Sequence, residues 1–372
     1  LDRLRSDRLQ HMQTPDGVRN EENDVAPPEA PRVFHGCRSP SQVRTPLAPS
    51  QRCTPTCGRG TRREDKNARR HEPDGAGPHH SKQGFGAIGP RYRLENLCNA
   101  YDESALDPDP LVVVREFSYP RDQEIAAFFS AMFAYGKARI IVRNLRDLFR
   151  RMPDGPYAFV TASHHSNDAG CLAGWRHRLH TGEDVAIMSA ILGQVLRKHG
   201  SLERVFCRGL PGVAPDVGVA LDAFVSFLRE QGGRRIEQRR FFRHLLPSPA
   251  DGSACKRMNL FLRWVVRRES PDLGLWRTVS PSLLVLPLDT HVARICRQIG
   301  LTRRSAIDWK MALEVTRKLR RFDPADPIRY DYALSRLGIL GDCPLKMDIS
   351  NCSRCSLQTY CVTFSERGSS QS

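Results

Sequence analysis

From Tyr92 onward, apolar residues recur at i, i+3 and i+4 with polar residues between them, and Gly, Pro or charged residues mark the breaks. That period lets a helix bury one face and wet the other. PRDQEIAAFFSAMFAYG opens on Pro120 with an acidic first turn, carries a broad apolar face and stops at Gly136, which are helix start and stop signals. KARIIVRNLRDLFRRM, CLAGWRHRLHT, EDVAIMSAILGQVLRKHG, SLERVF and VGVALDAFVSFLREQGG repeat the pattern. CKRMNLFLRWVVRR, DTHVARICRQIGL, DWKMALEVTRKLRRF and DYALSRLGIL continue it to residue 340. No strand pair with a hairpin turn stands out, and LLVLPL is short and interrupted by Pro287. The pattern therefore predicts an all-α chain with no repeat of fixed period.

Residues 1–88 behave differently. EENDVAPPEAPR, TPLAPSQRCTPTCGRGTRRED and HEPDGAGPHHSKQG are rich in Pro, Gly, Ser, Arg and His. Such stretches bury too little apolar surface to offset the entropy of ordering, so a disordered tail is expected over 1–88 and a short one over 364–372. The helical domain is expected over 89–363. Cys53 and Cys57 in CTPTC read either as half of a zinc site or as unpaired thiols in the tail.

Composition adds little until charge is counted. The chain carries a net charge of +16, of which only about +4 falls in residues 1–90. A basic folded domain suits a polyanionic partner, nucleic acid before an anionic membrane surface. The longest apolar candidate, Ile125–Tyr135, is broken by Ser130 and falls far short of the roughly 18–20 residues that span a bilayer. The N-terminal LDRLRSDRLQHMQ has no apolar signal-peptide core, so an intracellular, cytoplasmic location is expected.

Four of the 12 cysteines fall within nineteen residues, as Cys343-x8-Cys352-x2-Cys355-x5-Cys361. In a large intracellular chain such clustering points to metal rather than disulfides. Soft thiolates suit both iron–sulfur clusters and zinc. Zinc sites built from four cysteines favour two C-x2-C knuckles, and this loop has one, so a [4Fe–4S] cluster in a 343–361 loop is expected ahead of zinc. Lys346 and Arg354 place positive charge within that loop, where phosphates are in reach.

The cysteine tail follows FDPADPIRYDYALSRLGILGDC, and LPLDTHVARICRQIGL lies upstream. Together these resemble the endonuclease III and adenine-glycosylase branch of the helix-hairpin-helix DNA glycosylases. Asp289, Thr290, His291, Val292, Arg294 and Ile295 match its DTH-V/I-x-R-V/I stretch, and the four cysteines match its cluster loop. With EIAAFFSAMFAYGK, LLPSPADGSACKRMNLFLRWVVRR and DLGLW added, the chain is more similar still to a bacterial family catalogued as a domain of unknown function within or near that superfamily. The resemblance spans Tyr92 to Cys361.

The resemblance implies a two-lobed helical fold and a monomer that excises a damaged base from DNA, with or without lyase activity. In such chemistry a lysine attacks C1′ and a carboxylate supports the charge developing there. Lys256 and Asp289 take those positions, 33 residues apart. That gap is similar to the one in archaeal 8-oxoguanine glycosylases and implies an oxidised purine. Arg257, beside Lys256, is placed to depress its pKa, and Arg257, Arg263, His291 and Arg294 are the expected DNA contacts. Each residue also has a plainer reading. Asp289 is a good N-cap for a helix over Thr290–Ile299, Lys256 a simple phosphate contact, His291 a structural histidine, and Trp264, Trp276 and Phe261 core rather than base-stacking platforms. Two departures from the resemblance matter. The cysteine spacing is x8 where the family has x6. The family's LPGVG-like hairpin is replaced by Leu246-Pro247-Ser248-Pro249-Ala250-Asp251-Gly252-Ser253, in which prolines remove donors and Asp251 would repel phosphate. Two other functions share the pattern: a non-catalytic iron–sulfur nucleic-acid-binding protein, and a zinc-stabilised helical protein with a protein partner.

Overall fold

The computed structural model describes residues 88–163, 170–346 and 348–362. The described residues all belong to the unit Pro78–Ser372. The expected tails, with Cys53 and Cys57, lie outside the described residues except for Ile88, which opens the first helix.

The described residues are predominantly helical. The longer helices are Ile88–Ala100, Pro120–Met132, Ala138–Arg150, Gly182–His199, Gly218–Gly232, Lys256–Val266, Thr290–Gln298, Trp309–Arg320 and Asp331–Ile339. Their ends carry the predicted chemistry. Pro120 sits in the first turn of its helix with Asp122 beside it, and Thr181 and Asp184 form a capping box at the start of Gly182–His199. Asp289 and Asp308 cap their helices through the Val292 and Met311 N–H groups at 2.9 and 2.8 Å. Each cap satisfies a donor that the first turn leaves unpaired.

Two segments depart from the periodicity. CLAGWRHRLHT closes as an antiparallel hairpin pairing Arg176–His177 with His180–Thr181. Gly174 and Arg178 adopt φ of +76° and +52°, a region closed to a continuing right-handed helix. The inward pull is also visible, since Trp175, His177 and His180 are all buried. In LLVLPL, Leu283 ends a 3-10 turn and the rest is neither helix nor strand but a buried crossing whose Leu286 N–H donates to Thr316 Oγ1 at 3.0 Å.

The core forms around Pro120–Met132, whose residues from Glu124 to Met132 are all buried. This helix packs along Lys256–Val266, with Phe128 and Phe261 edge to face at 5.3 Å. Thr290–Gln298 packs along Asp331–Ile339. Their approach depends on Gly338, where an added Cβ would stand 2.8 Å from the Cβ of His291. These two helix pairs bring together the N-termini that carry Lys256 and Asp289.

Candidate functional site

Lys256 is the first residue of its helix, and the residue before it, Cys255, holds a left-handed conformation at φ +50°. Such a conformation costs an L-residue roughly 1–2 kcal/mol, and here it turns the chain sharply from the preceding loop into the helix. Asp289 precedes the first turn of Thr290–Gln298. Across a gap of 33 positions in the sequence, Lys256 Nζ stands 3.3 Å from Asp289 Oδ2. The cap and the ion pair are compatible because they use different oxygens: Oδ1 accepts the Val292 N–H and Oδ2 faces the lysine. Burial pushes the Asp289 carboxyl up, but Lys256, the Val292 N–H and the charge of His291 outweigh it, leaving the group below its ordinary value.

The pair lines a cleft of about 1120 Å³. Tyr135, Gly136 and Lys137, from the turn between two helices, and Arg139, in the first turn of the second, line it as well, together with His291 and Asp331. Asp331 went unnoticed in the sequence because an acidic residue at the head of a helix is ordinary. Its one clue is its place in an otherwise buried apolar stretch. Its Oδ2 accepts from Arg263 at 2.6 Å, while its buried Oδ1 has no hydrogen-bond partner. Burial pushes the Asp331 carboxyl up to about 6; Arg263 opposes that shift and the charges of Asp289 and Asp272 add to it.

The expected DNA contacts are placed unevenly. His291 is exposed on the cleft. Arg257 is not: it donates to the carbonyls of Met132, at 2.9 Å, and His244, and lies over the Tyr135 ring. Burial holds its guanidinium down to about 10. Arg263 is 2% exposed and ion-paired to Asp272 and Asp331. Both side chains are held inward by fixed partners, because a buried guanidinium without partners is prohibitively costly. Both line the cleft, but their guanidiniums are engaged by these partners, so the expectation of free surface contacts is corrected. Arg294 turns toward the cysteine loop, with Nη1 3.1 Å from Cys343 Sγ and Nη2 donating to the Cys343 carbonyl at 2.5 Å. That too corrects a direct DNA contact, since its fork is occupied in holding the loop. Trp264, Trp276 and Phe261 are buried, so the core reading holds for all three.

The loop in place of the family hairpin is internally satisfied. Ser248 accepts the Ala250 N–H at 3.2 Å and donates to Asp222. Asp251 pairs with Arg229, which also donates to the Leu246 carbonyl at 2.6 Å. The charge expected to repel phosphate is therefore already met by Arg229, which holds the Asp251 carboxyl below its ordinary range.

Beyond the Asp331–Ile339 helix, the Cys343 N–H returns to the Leu337 carbonyl at 2.8 Å. Cys352 lies in the short helix Ile349–Arg354, Cys355 caps it, and Cys361 follows a 3-10 turn over Gln358–Tyr360. Burial raises the Cys355 thiol, and charges on Cys343, Cys361 and Cys352 add to that rise. Among the described residues, no three His, Cys, Asp or Glu side chains stand together in a metal-holding arrangement. No helix among them is long and apolar enough to cross a membrane.

A family model described as "Protein of unknown function (DUF2400)" matches residues 109–340. The match contains Lys256, Asp289 and all but Pro108 of the cleft lining, and ends just short of Cys343. No curated protein and no solved structure matches the chain.

Proposed function

The chain belongs to the DUF2400 family of unknown function, and from that premise we propose that it is a DNA glycosylase of helix-hairpin-helix type in which Lys256 is the nucleophile and Asp289 its partner carboxylate. One observation carries the reading. A lysine and a carboxylate from separate helices meet at 3.3 Å on the wall of a large cleft, at the two positions the glycosylase resemblance requires. An ion pair made only for stability has no need of a cleft, and at this exposure it would contribute little.

In the proposed reaction, a damaged nucleotide leaves the stack and enters the cleft. Lys256 Nζ gives up a proton to water and attacks C1′, while the bond to the base breaks and the base departs with the electron pair and takes up a proton. Asp289 stabilises the positive charge that builds on the sugar as that bond lengthens. Displacement of the base leaves a ring-closed aminal on Lys256, whose nitrogen lone pair opens the C1′–O4′ bond as O4′ takes up a proton; the resulting Schiff base then loses a C2′ proton and the 3′ phosphate by elimination, which cleaves the strand. An oxidised purine is the substrate class the resemblance favours. The protein acts as a monomer.

Cys343, Cys352, Cys355 and Cys361 are the residues that would hold a [4Fe–4S] cluster. Four cysteines form a soft donor set suited to iron–sulfur or to zinc. When bound, the cluster ties the C-terminal loop to the helix carrying Asp289, through the Arg294 contact to Cys343.

The reading is tested by borohydride trapping on duplexes that carry 8-oxoguanine, an oxidised pyrimidine or an abasic site. A covalent adduct is expected with the wild type and none with Lys256→Gln. Absence of both base release and adduct across that panel removes the enzyme and leaves a nucleic-acid-binding protein of the same fold.

A further inference from the structure

We propose that the groove along the Ala138–Arg150 helix is a track for a phosphodiester backbone, carrying one nucleic-acid strand away from the Lys256–Asp289 cleft. The proposal rests on the reading of that cleft as a nucleic-acid site.

Arg139, Arg143, Arg146 and Arg150 all line this groove, which has a volume of about 720 Å³. Their spacing of four, three and four residues places them on one side of the helix. Arg139 also lines the Lys256–Asp289 cleft, so the two depressions share a wall. Eleven residues of helix rise about 16 Å, which matches roughly five nucleotides of a stacked strand.

The four arginines differ in how much charge they can offer. Arg146 pairs with Glu116 at 2.7 Å, and Arg150 stands 3.5 Å from Asp147. Arg139 and Arg143 are exposed and, among the described residues, have no carboxylate in ion-pair range. Two uncompensated guanidiniums, those nearest the cleft, are therefore presented to solvent. The groove floor is apolar. Phe117 is half-buried against Phe149, ring to ring at 5.3 Å and nearly perpendicular. A cationic rim above an aromatic floor is what a nucleotide strand requires, with phosphates on the arginines and a sugar or base edge on the ring.

The test is fluorescence anisotropy with a labelled single strand of about 20 nucleotides, and with a duplex of equal length holding a stable abasic-site analogue, over a series of salt concentrations. The variant is Arg139→Ala/Arg143→Ala. Its control of equal charge is Arg317→Ala/Arg321→Ala, two exposed arginines that line neither depression. The groove variant is expected to bind about 10- to 100-fold more weakly at low salt. The slope of log K against log salt should fall by about 0.7 for each phosphate the variant no longer neutralises on the single strand. The control should bind like the wild type. If groove variant and control lose affinity equally, the track is overturned while the cleft stands. A wild type that binds neither nucleic acid overturns both readings. Loss of capture on phosphatidylserine vesicles without loss of DNA affinity would also overturn the proposal, assigning the arginines to a membrane surface.

Discussion

The guanidinium of Arg263 lies between Asp272, at 3.1 Å, and Asp331, at 2.6 Å. Arg267 shares Asp272 and reaches Asp326 at 2.8 Å, and Arg336 pairs with Asp109 at 2.7 Å. Buried ion pairs of this kind owe most of their apparent strength to the cost of removing one partner. Arg263→Met should therefore destabilise the protein by about 3–5 kcal/mol, because Asp331 is left buried without its cation. A thermal melt measures this, and a midpoint lowered by roughly 2–4 °C per kcal/mol is expected. A variant that melts like the wild type and loses DNA affinity would restore Arg263 as a surface contact. Asp289 shows the opposite arrangement, with one carboxylate serving as both helix cap and lysine partner. Both of its roles were legible in the sequence, but that they use different oxygens was not.

At the level of elements, the hairpin Arg176–Thr181 is where helical periodicity fails, and its histidines explain the outcome. His177 Nε2–H donates to the Tyr135 carbonyl at 3.1 Å, leaving Nδ1 to face the Asn144 amide at 3.1 Å. His180 Nε2–H donates to the Phe241 carbonyl at 3.1 Å, and its Nδ1 stands 2.5 Å from Tyr135 Oη, whose own hydrogen also has the His177 carbonyl within reach at 3.1 Å. The His177 ring is satisfied when neutral, since a second N–H would point at the Asn144 amide donor. Burial accordingly lowers both imidazoles from their ordinary 6.5. Nearby His244 is lowered to about 4, by burial first and then by Arg257 and His180. A lowered imidazole pKa contributes stability above the unfolded value, and that stability is lost as pH falls through the folded value. The melting midpoint should therefore drop between about pH 7 and pH 5, and His180→Gln should flatten the drop while lowering the midpoint at neutral pH. An unchanged pH slope in that variant would place the titrating groups elsewhere.

For the whole molecule, the net charge of +16 is divided between two settings. Several arginines expected to meet DNA are buried and ion-paired or hydrogen-bonded, while the Ala138–Arg150 helix keeps Arg139 and Arg143 at the surface. The cysteine loop joins this arrangement through Arg294, from the helix Asp289 caps. Protein purified without oxygen should be brown and carry iron with acid-labile sulfide. Stripping the metal should lower the melting midpoint by roughly 2–4 °C for each kcal/mol that binding contributes. A colourless protein loaded with zinc would remove the iron–sulfur assignment and favour a zinc-stabilised scaffold.

Periodicity, caps and breakers are local, and for that reason the sequence alone determined the helical class and most helix windows, as well as Asp289 as a cap. It also determined that Lys256 starts a helix. What it could not supply was direction. Whether Arg263 points to solvent or to Asp331 depends on a residue 68 positions away, and an arginine has the same composition in either case. Nor could periodicity separate a helix over CLAGWRHRLHT from a hairpin, because the deciding partners, Tyr135, Asn144 and Phe241, lie outside the window. Only tertiary packing, through the close crossing at Gly338 and the left-handed turn at Cys255, set Lys256 against Asp289 across the 33 positions that separate them.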